Sequence, residues 1–159
     1  MTKVLIFGNS GSGKSTLAKN ISADQHAAHL DLDTIAWQTK ALPTRTPIYE
    51  SKTKIDSFIE ANSHWVIEGC YADLLALAID RADKVIFLDL PVEDCIANAK
   101  SRPWEAHKYD SKAAQDANLA MLVDWISQYP TRNDTFSRQA HLQLYKSFFG
   151  EKERHTTSN

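Results

Sequence analysis

Residues 4–16 read VLIFGNSGSGKST, and the architecture of the chain follows from them. Residues 4–7 form an unbroken apolar, β-prone run, typical of a strand buried on both faces of a parallel sheet. Residues 8–15 match the pattern G-x-x-x-x-G-K-[ST]. Leu17 and Ile21 follow at helical spacing with no proline between them. A strand, a glycine-rich loop and a helix in this order predict the opening unit of an α/β fold.

The glycine-rich loop has the composition needed to bind a triphosphate. Three of the five glycines in the chain are Gly8, Gly11 and Gly13, and positions without a Cβ let backbone N–H groups enclose an anion. Lys14 is expected to bridge the β- and γ-phosphates. The predicted ATP-binding residues are Gly8, Asn9, Ser10, Gly11, Ser12, Gly13, Lys14, Ser15 and Thr16. The Ser15 hydroxyl is also the first predicted Mg²⁺ ligand.

Length and charge exclude several classes of protein. A chain of 159 residues predicts one domain over residues 1–159. The net charge of −2 provides no positive field for nucleic acid, so nucleic acid is not an expected partner. The longest aliphatic stretch, residues 74–79, is far shorter than the ~20 residues of a membrane span, so no membrane association is expected. Two cysteines and no signal-like N-terminus favour a reduced, cytoplasmic protein, either a monomer or a weak dimer.

Hydrophobic periodicity divides the rest of the chain into further strands and helices. Three more strands are predicted at 29–32, 65–67 and 85–88. Helices are predicted over about 46–62, 72–82, 92–102, 119–126 and 134–150. Only nine polar residues follow Gly150, so a fifth strand would have to come from about 153–157 or be absent. His141 lies on an apolar helical stripe and is predicted to be a hydrogen-bonded residue at the border of the core, partly buried.

Other nucleotide-binding classes lack their expected motifs here. A Ras-like GTPase should carry D-x-x-G and N-K-x-D, and neither occurs in the chain. The Leu-Ser-Gly-Gly signature of ABC ATPases is also missing, and AAA-type motors need a much longer module than 159 residues. Elimination therefore favours a compact kinase.

Four motifs carry a resemblance to a known group of enzymes. They are GNSGSGKST at 8–16, LDLDTIAW at 30–37, WVIEGCY at 65–71 and VIFLDLP at 85–91. With them the chain resembles the small P-loop kinases typified by adenylate, shikimate and gluconate kinases, and within that group the bacterial adenylate-kinase-like ATPases of the DNA-topology-modulation type. The resemblance covers residues 3–102 well and the remainder loosely.

The resemblance implies a three-layer α/β P-loop fold. It consists of a parallel sheet of four to five strands in the order 2-3-1-4-5, with helices on both faces. A mobile lid is implied at approximately residues 101–112. The composition of 101–111 agrees, because it is polar and aromatic without periodicity and so predicts a loop.

Acidic residues follow the predicted strands at the edge where open α/β sheets bind ligands. Asp31 and Asp33 are two apart and are expected on the same side of an extended segment. Resemblance to the Asp-x-Asp of shikimate kinase assigns Asp31 to water-mediated Mg²⁺ contact and Asp33 to the acceptor hydroxyl, as a catalytic residue. Glu68 and Asp89 both end strands, and the choice between them stays open. We favour Glu68 as the metal-side acid and expect Asp89 to shape a turn.

Basic residues are needed to neutralise the transferring phosphoryl group. Arg102 and Lys108 lie in the lid segment, and Arg102 is the predicted catalytic arginine alongside Lys14. Related chains have an arginine where this one has Asn98. Arg132 and Arg138 are candidates for the missing charge, and Arg138 joins the predicted nucleotide-binding set.

These inferences predict an ATP-dependent phosphotransferase that moves the γ-phosphoryl of Mg-ATP to a hydroxyl or phosphate of a small molecule. The acceptor, a nucleotide, sugar or hydroxy acid, stays open. Shikimate is disfavoured because residues 68–71 lack the triple glycine of shikimate kinases. AMP is disfavoured because residues 69–72 lack the arginine of adenylate kinases. Two alternatives remain: a regulatory or nucleic-acid-associated ATPase, and a nucleotide-binding module without turnover.

Overall fold

The computed structural model describes residues 1–38 and 44–158. In chain order the strands are β1 (Lys3–Gly8), β2 (Ala28–Asp31), β3 (Trp37–Gln38), β4 (Thr44–Arg45), β5 (Trp65–Gly69), β6 (Lys84–Leu88) and β7 (Glu151–His155). The helices are α1 (Lys14–Gln25), α2 (Asp33–Ala36), α3 (Ile48–Ala61), α4 (Ala72–Ala78), α5 (Val92–Ser101), α6 (Lys112–Ala117), α7 (Leu119–Ser127) and α8 (Arg138–Ser147), with a 3₁₀ turn at Ile79–Arg81.

The main sheet has five parallel strands in the order β2-β5-β1-β6-β7. The antiparallel pair β3-β4 is a separate small sheet. Counted without that pair, the order is 2-3-1-4-5, so the predicted topology is confirmed. Asp31 aligns with Glu68, and Gly8 with Leu88. The carboxyl ends of these strands therefore meet at one edge, where open α/β sheets bind ligands.

Helices cover both faces of the sheet because the side chains of each central strand alternate between the faces. On one face the buried cluster is formed by strand residues together with α3 and α4, and its strand members are Leu5, Phe7, Trp65, Ile67, Val85 and Phe87. On the other face Val4, Ile6, Val66, Ile86 and Leu88 pack against α1. A third cluster joins α5 to α7 and consists of Leu90, Cys95, Ala99 and Ile126. The predicted three-layer α/β fold is confirmed.

The fifth strand occurs although nothing apolar marks it in the sequence. Residues 151–155 pair in parallel with β6 at the sheet edge, where a polar strand is tolerated because one side faces water. Lys84 of β6 forms ion pairs with Glu151, at 3.0 Å, and with Glu153. Charge pairing across the two strands takes the place of apolar alternation.

Several element boundaries differ from the sequence-based prediction. The last helix begins at Arg138 rather than near Asp134, because the Ser137 side chain caps it by accepting from the Ala140 N–H at 3.0 Å. Asp134 instead accepts from the Phe136 N–H at 3.0 Å and forms a turn ahead of the helix. Helices α2 and α6 and the β3-β4 pair were not predicted. They are short, and their sequences carry too little periodicity to be distinguished from loops.

Residues 102–111, between α5 and α6, have neither helix nor strand, so the loop predicted for residues 101–111 is confirmed except at Ser101, which ends α5. In the part of the chain that the structure describes, no helix has the length and hydropathy required to cross a bilayer.

Candidate active site

The glycine-rich loop connects β1 to α1 and lies directly against α5. Gly11 and Gly13 have φ angles of 78° and 92°, in the region that favours glycine. A Cβ on Gly11 would lie only 2.3 Å from the carbonyl oxygen of Cys95, so this position excludes any side chain. Gly13 is the N-cap of α1, and no side chain caps that helix. The first N–H groups of α1 are therefore available to an anion.

Lys14 folds back over its own loop. Its Nζ donates to the carbonyl oxygen of Asn9 at 2.7 Å, and the Ser12 N–H donates to the same oxygen at 3.2 Å. The ammonium group and the helix N-terminus therefore lie next to each other. This arrangement places positive charge from two sources at the predicted triphosphate position.

Glu68, near the end of β5, accepts a hydrogen bond from the side chain of Ser15. The Ser15 hydroxyl donates to Glu68 Oε2 at 2.8 Å, and His29 Nε2 lies 3.0 Å from the same oxygen. Glu68 is only 2% exposed. Hydroxyl and carboxylate oxygens are the ligands that Mg²⁺ prefers, so the structure brings together two of the three predicted metal residues.

Asp31, the third predicted metal residue, ends β2 next to Glu68 in the sheet register. Its Oδ1 accepts from the Asp33 N–H at 2.9 Å. Burial, reinforced by the negative charges of Glu68 and Asp33, raises the pKa of the Asp31 carboxyl above its ordinary value. A bound cation would relieve this crowding of carboxylates.

Asp33 begins helix α2, so the extended segment expected through Asp31 and Asp33 is wrong: the chain turns into a helix after Leu32. Tyr71 donates its hydroxyl to Asp33 Oδ1, and Lys108 Nζ lies 2.8 Å from Oδ2. Burial alone would raise the pKa of Asp33. The charge of Lys108 and the hydrogen bonds from Lys108 and Tyr71 outweigh it and lower the pKa. Asp33 is therefore ionised at neutral pH.

The lid segment reaches this site through Lys108. Its Nζ lies 3.7 Å from Asp31 Oδ2 and 3.6 Å from Glu105 Oε2, in addition to its contact with Asp33. Burial would lower the pKa of Lys108, but these carboxylates raise it above its ordinary value. Arg102 pairs with Glu105 at 3.0 Å instead. Of the two basic residues predicted in the lid, Lys108 is the one in contact with Asp31 and Asp33.

Asp89 forms its side-chain hydrogen bonds with two arginines. Arg138 donates two hydrogen bonds to it, both at 2.8 Å, and Arg154 donates two more at 3.0 and 2.7 Å. Burial alone would raise the pKa of Asp89, and the two arginines lower it. This pairing favours the structural role expected for Asp89. Sequence reasoning missed Arg154, because its strand carries no apolar signal.

Arg132 was a second candidate for the missing lid charge. Its Nε lies 3.2 Å from Asp134 Oδ2, and its guanidinium lies 3.4 Å from the centre of the Trp125 ring. It is thus engaged by its immediate neighbours.

A group of aromatic residues beside Asp33 was also missed. Trp37 Nε1 donates to the Tyr71 hydroxyl at 2.8 Å, and Tyr71 in turn donates to Asp33. The Arg45 guanidinium lies 5.1 Å from the Tyr71 ring and pairs with Asp73 at 3.0 Å. The position of Tyr71, two residues after the end of β5, was the only available signal.

His141 is hydrogen-bonded, as predicted, but it is fully buried rather than partly buried. Its Nδ1 lies 2.7 Å from the Tyr129 hydroxyl, and its Nε2 lies 2.8 Å from the carbonyl oxygen of Cys70. Burial lowers the pKa of the imidazole to about 4. A neutral imidazole therefore links α8 to the segment after β5.

Comparison with solved structures places this geometry in a known fold. No protein-family model matches the chain, and no curated protein sequence matches it. A shikimate kinase from Acinetobacter baumannii in complex with shikimate superposes with a TM-score of 0.53 and 12% identity, over 100% of this chain and 86% of that chain.

Two further structures are more distant. A sugar kinase from Janibacter sp. HTCC2649 has a TM-score of 0.47 and 16% identity, covering 92% of this chain and 91% of that one. Deoxyadenosine kinase from M. mycoides, with bound dATP, has a TM-score of 0.41 and 14% identity, covering 90% and 96% respectively. The likeness to the shikimate kinase, together with the strand order, shows that the chain has the P-loop kinase fold.

Proposed function

We propose that this protein is an ATP-dependent phosphotransferase that moves the γ-phosphoryl of Mg-ATP to a hydroxyl or phosphate of a small molecule. One observation carries the proposal. The Ser15 hydroxyl, in the first turn after the glycine-rich loop, donates to Glu68 at 2.8 Å, and Asp31 lies beside Glu68 in the sheet register. The proposed phosphate-binding loop and the proposed magnesium ligands thus share one edge of the sheet, which supports the proposal.

The proposed donor side consists of residues 8–16, which are the glycine-rich loop and the first residues of α1. Backbone N–H groups at the start of α1 and the Lys14 ammonium would bind the β- and γ-phosphates. Ser15, Glu68 and Asp31 would hold Mg²⁺, with Asp31 acting through water. When bound, the ion neutralises charge on the β- and γ-phosphates. Arg138 remains in the proposed nucleotide-binding set, with Asp89 fixing the direction of its guanidinium.

The acceptor side centres on Asp33. The acceptor oxygen bonds to the γ-phosphorus, the bond from that phosphorus to the β–γ bridging oxygen breaks, and ADP leaves. For a hydroxyl acceptor, the proton goes to Asp33, which is ionised and within reach of solvent, with 37% of its side chain exposed. Tyr71 would hold the carboxylate in place during this step.

The lid would supply positive charge to the transferred group. Lys108 occupies Asp33 Oδ2 in this structure, so it must leave that oxygen before Asp33 can accept a proton there. Its proposed destination is the γ-phosphoryl group, where Arg102 would join it. Lid closure would also exclude water, which limits hydrolysis of ATP.

A coupled assay of ADP release tests the proposal. Nucleosides, nucleotides, sugars and hydroxy acids are offered as acceptors with Mg-ATP. The expected result is acceptor-stimulated ADP release that falls at least ~10²-fold in Lys14→Ala, because a charge aimed at the transition state is lost. Lys19→Ala, at an exposed position on the same helix, is the matched control. ADP release that no acceptor stimulates would favour the ATPase alternative, and a fully active Lys14→Ala would refute the mechanism.

A further inference from the structure

Asn98, in the last turn of α5, donates a hydrogen bond to the glycine-rich loop. Its Nδ2 donates to the carbonyl oxygen of Gly11 at 2.8 Å and lies 3.4 Å from Ser158 Oγ. A side-chain amide has two N–H donors, and both of these have an acceptor within reach. One side chain thus connects the loop to the segment that follows β7.

The glycine-rich loop packs against the face of α5 that carries Asn98. Cys95 and Asn98 are three residues apart on the helix and so lie on one face. The Cys95 carbonyl approaches Gly11 so closely that a Cβ there would lie at 2.3 Å. Gly11 is therefore contacted by α5 twice, by a backbone carbonyl through packing and by a side-chain amide through a hydrogen bond.

A second amide fixes the beginning of the loop. Asn9 is 3% exposed, and its Nδ2 donates to the carbonyl oxygen of Ile126 in α7 at 3.2 Å. Ile126 and Cys95 belong to one buried cluster, so α5 and α7 form a continuous support. The loop is thus attached to this support at both Asn9 and Gly11.

We propose that Asn98 is a positioning residue for nucleotide binding: it holds the Gly11 carbonyl and keeps the phosphate-binding loop in one conformation before the nucleotide arrives. The inference rests on the proposed function for the identity of the ligand. Gly11 has no side chain to restrict it, and its φ of 78° is one of several conformations open to glycine. A loop that is already ordered loses less conformational freedom on binding, which strengthens binding.

The test uses the full chain with Asn98→Ala and Asn98→Leu. Both variants remove the donor, and leucine keeps most of the volume. The dissociation constant for Mg-ATP, measured by calorimetry, is expected to rise about 3- to 10-fold in both, as for the loss of one hydrogen bond. Hydrogen exchange at the backbone amides of residues 9–16 is expected to be faster in both variants without nucleotide.

Asn62→Ala is the matched control. The Asn62 amide also donates to a backbone carbonyl, that of Phe58, at 2.8 Å, and is also part-buried, but it lies at the end of α3. This variant is expected to lower the melting temperature without changing either the nucleotide affinity or exchange in the loop.

Two results would overturn the inference. If Asn98→Ala lowers the melting temperature as Asn62→Ala does but leaves the Mg-ATP affinity and loop exchange at wild-type values, Asn98 is merely structural. If Asn98→Leu restores the wild-type affinity, packing rather than the hydrogen bond is responsible. Failure of the wild-type chain to bind Mg-ATP would refute the proposed function instead, and loop exchange in the two variants would still decide whether Asn98 holds the loop.

Discussion

Lys108 of the lid segment lies 2.8 Å from Asp33 at the carboxyl edge of the sheet, so the lid and the proposed acceptor-side carboxylate are already in contact. The ammonium group keeps Asp33 ionised and at the same time covers one of its oxygens. A lysine on a loop can exchange this carboxylate for a phosphoryl group, because both are anionic oxygen acceptors. If the segment acts as the proposed lid, this contact would couple its position to the availability of Asp33.

Lys108→Met is expected to lower kcat for phosphoryl transfer about 10- to 100-fold, because it removes a charge that would stabilise the transferring group. Steady-state kinetics of ADP release measure the effect. Lys112→Met is the matched control, since Lys112 pairs with Asp116 on the surface of α6. Wild-type turnover in Lys108→Met would exclude the lid lysine from the reaction.

Glu68→Gln and Asp89→Asn are expected to have different consequences. Glu68→Gln removes a proposed magnesium ligand next to Ser15, so activity should require much more Mg²⁺. Asp89→Asn should leave the Mg²⁺ requirement unchanged and reduce stability by about 1–3 kcal/mol, because Arg138 and Arg154 lose a buried partner. Magnesium titrations and urea unfolding separate the two. The reverse pattern would make Asp89 the metal-side acid.

Gly11→Ala is expected to be much more damaging than Gly13→Ala. Both positions have positive φ, which costs about 1–2 kcal/mol for alanine. Only at Gly11 would the added Cβ also collide with a backbone carbonyl, whereas at Gly13 nothing lies within 4 Å. The free energies of unfolding and the Mg-ATP affinities of the two variants should differ accordingly. Equal losses would mean that the loop does not lie against α5.

The stability of the protein is expected to fall as the pH drops from 6.5 toward 4. Burial lowers the pKa of His141 to about 4 from an ordinary value of 6.5, so in this range the unfolded chain binds a proton that the folded chain does not. By linkage the free energy of unfolding then decreases with falling pH, by about 3 kcal/mol over the full interval. Below about 4 both states are protonated, and this contribution is constant.

Thermal unfolding between pH 7 and 4.5 measures this dependence. His141→Gln should weaken it, because the replaced side chain does not titrate. His26→Asn is the control, since His26 is exposed and asparagine tolerates its φ of 52°. An unchanged pH dependence in His141→Gln would assign the effect to other groups.

The three central strands of the main sheet were predicted because they carry unbroken apolar runs at residues 4–7, 65–67 and 85–88. The sequence does not decide whether an edge strand exists at 151–155, because edge strands need no apolar alternation. The cap of the last helix was wrong by three residues, because Asp134 and Ser137 are both good capping residues and only packing selects between them. The small β3-β4 sheet was missed because each strand has only two residues.

In the candidate active site, too, the residues in local motifs could be predicted and those defined by distant contacts could not. The placement of Lys14 and Ser15 was predictable because they belong to one local motif, and that of Glu68 because it ends a recognisable strand. Their roles in binding stay predictions. Tyr71, Arg45 and Arg154 were not predictable, since their importance lies in contacts with residues far away in the chain.

By itself the sequence determined the strand, loop and first helix, because glycine conformation, helix initiation and apolar runs are local properties. The order of the main strands was implied only by the resemblance to the small P-loop kinases, and the structure confirms it. Only the tertiary structure decided that Lys108 contacts Asp33 across 75 residues, that Asp89 pairs with Arg154, and that Asn98 holds Gly11. Such contacts depend on how α5, the lid segment and β7 pack around the loop. Their energies arise from the burial and pairing of charges and of hydrogen-bonding groups that are distant in sequence, so no local pattern predicts them.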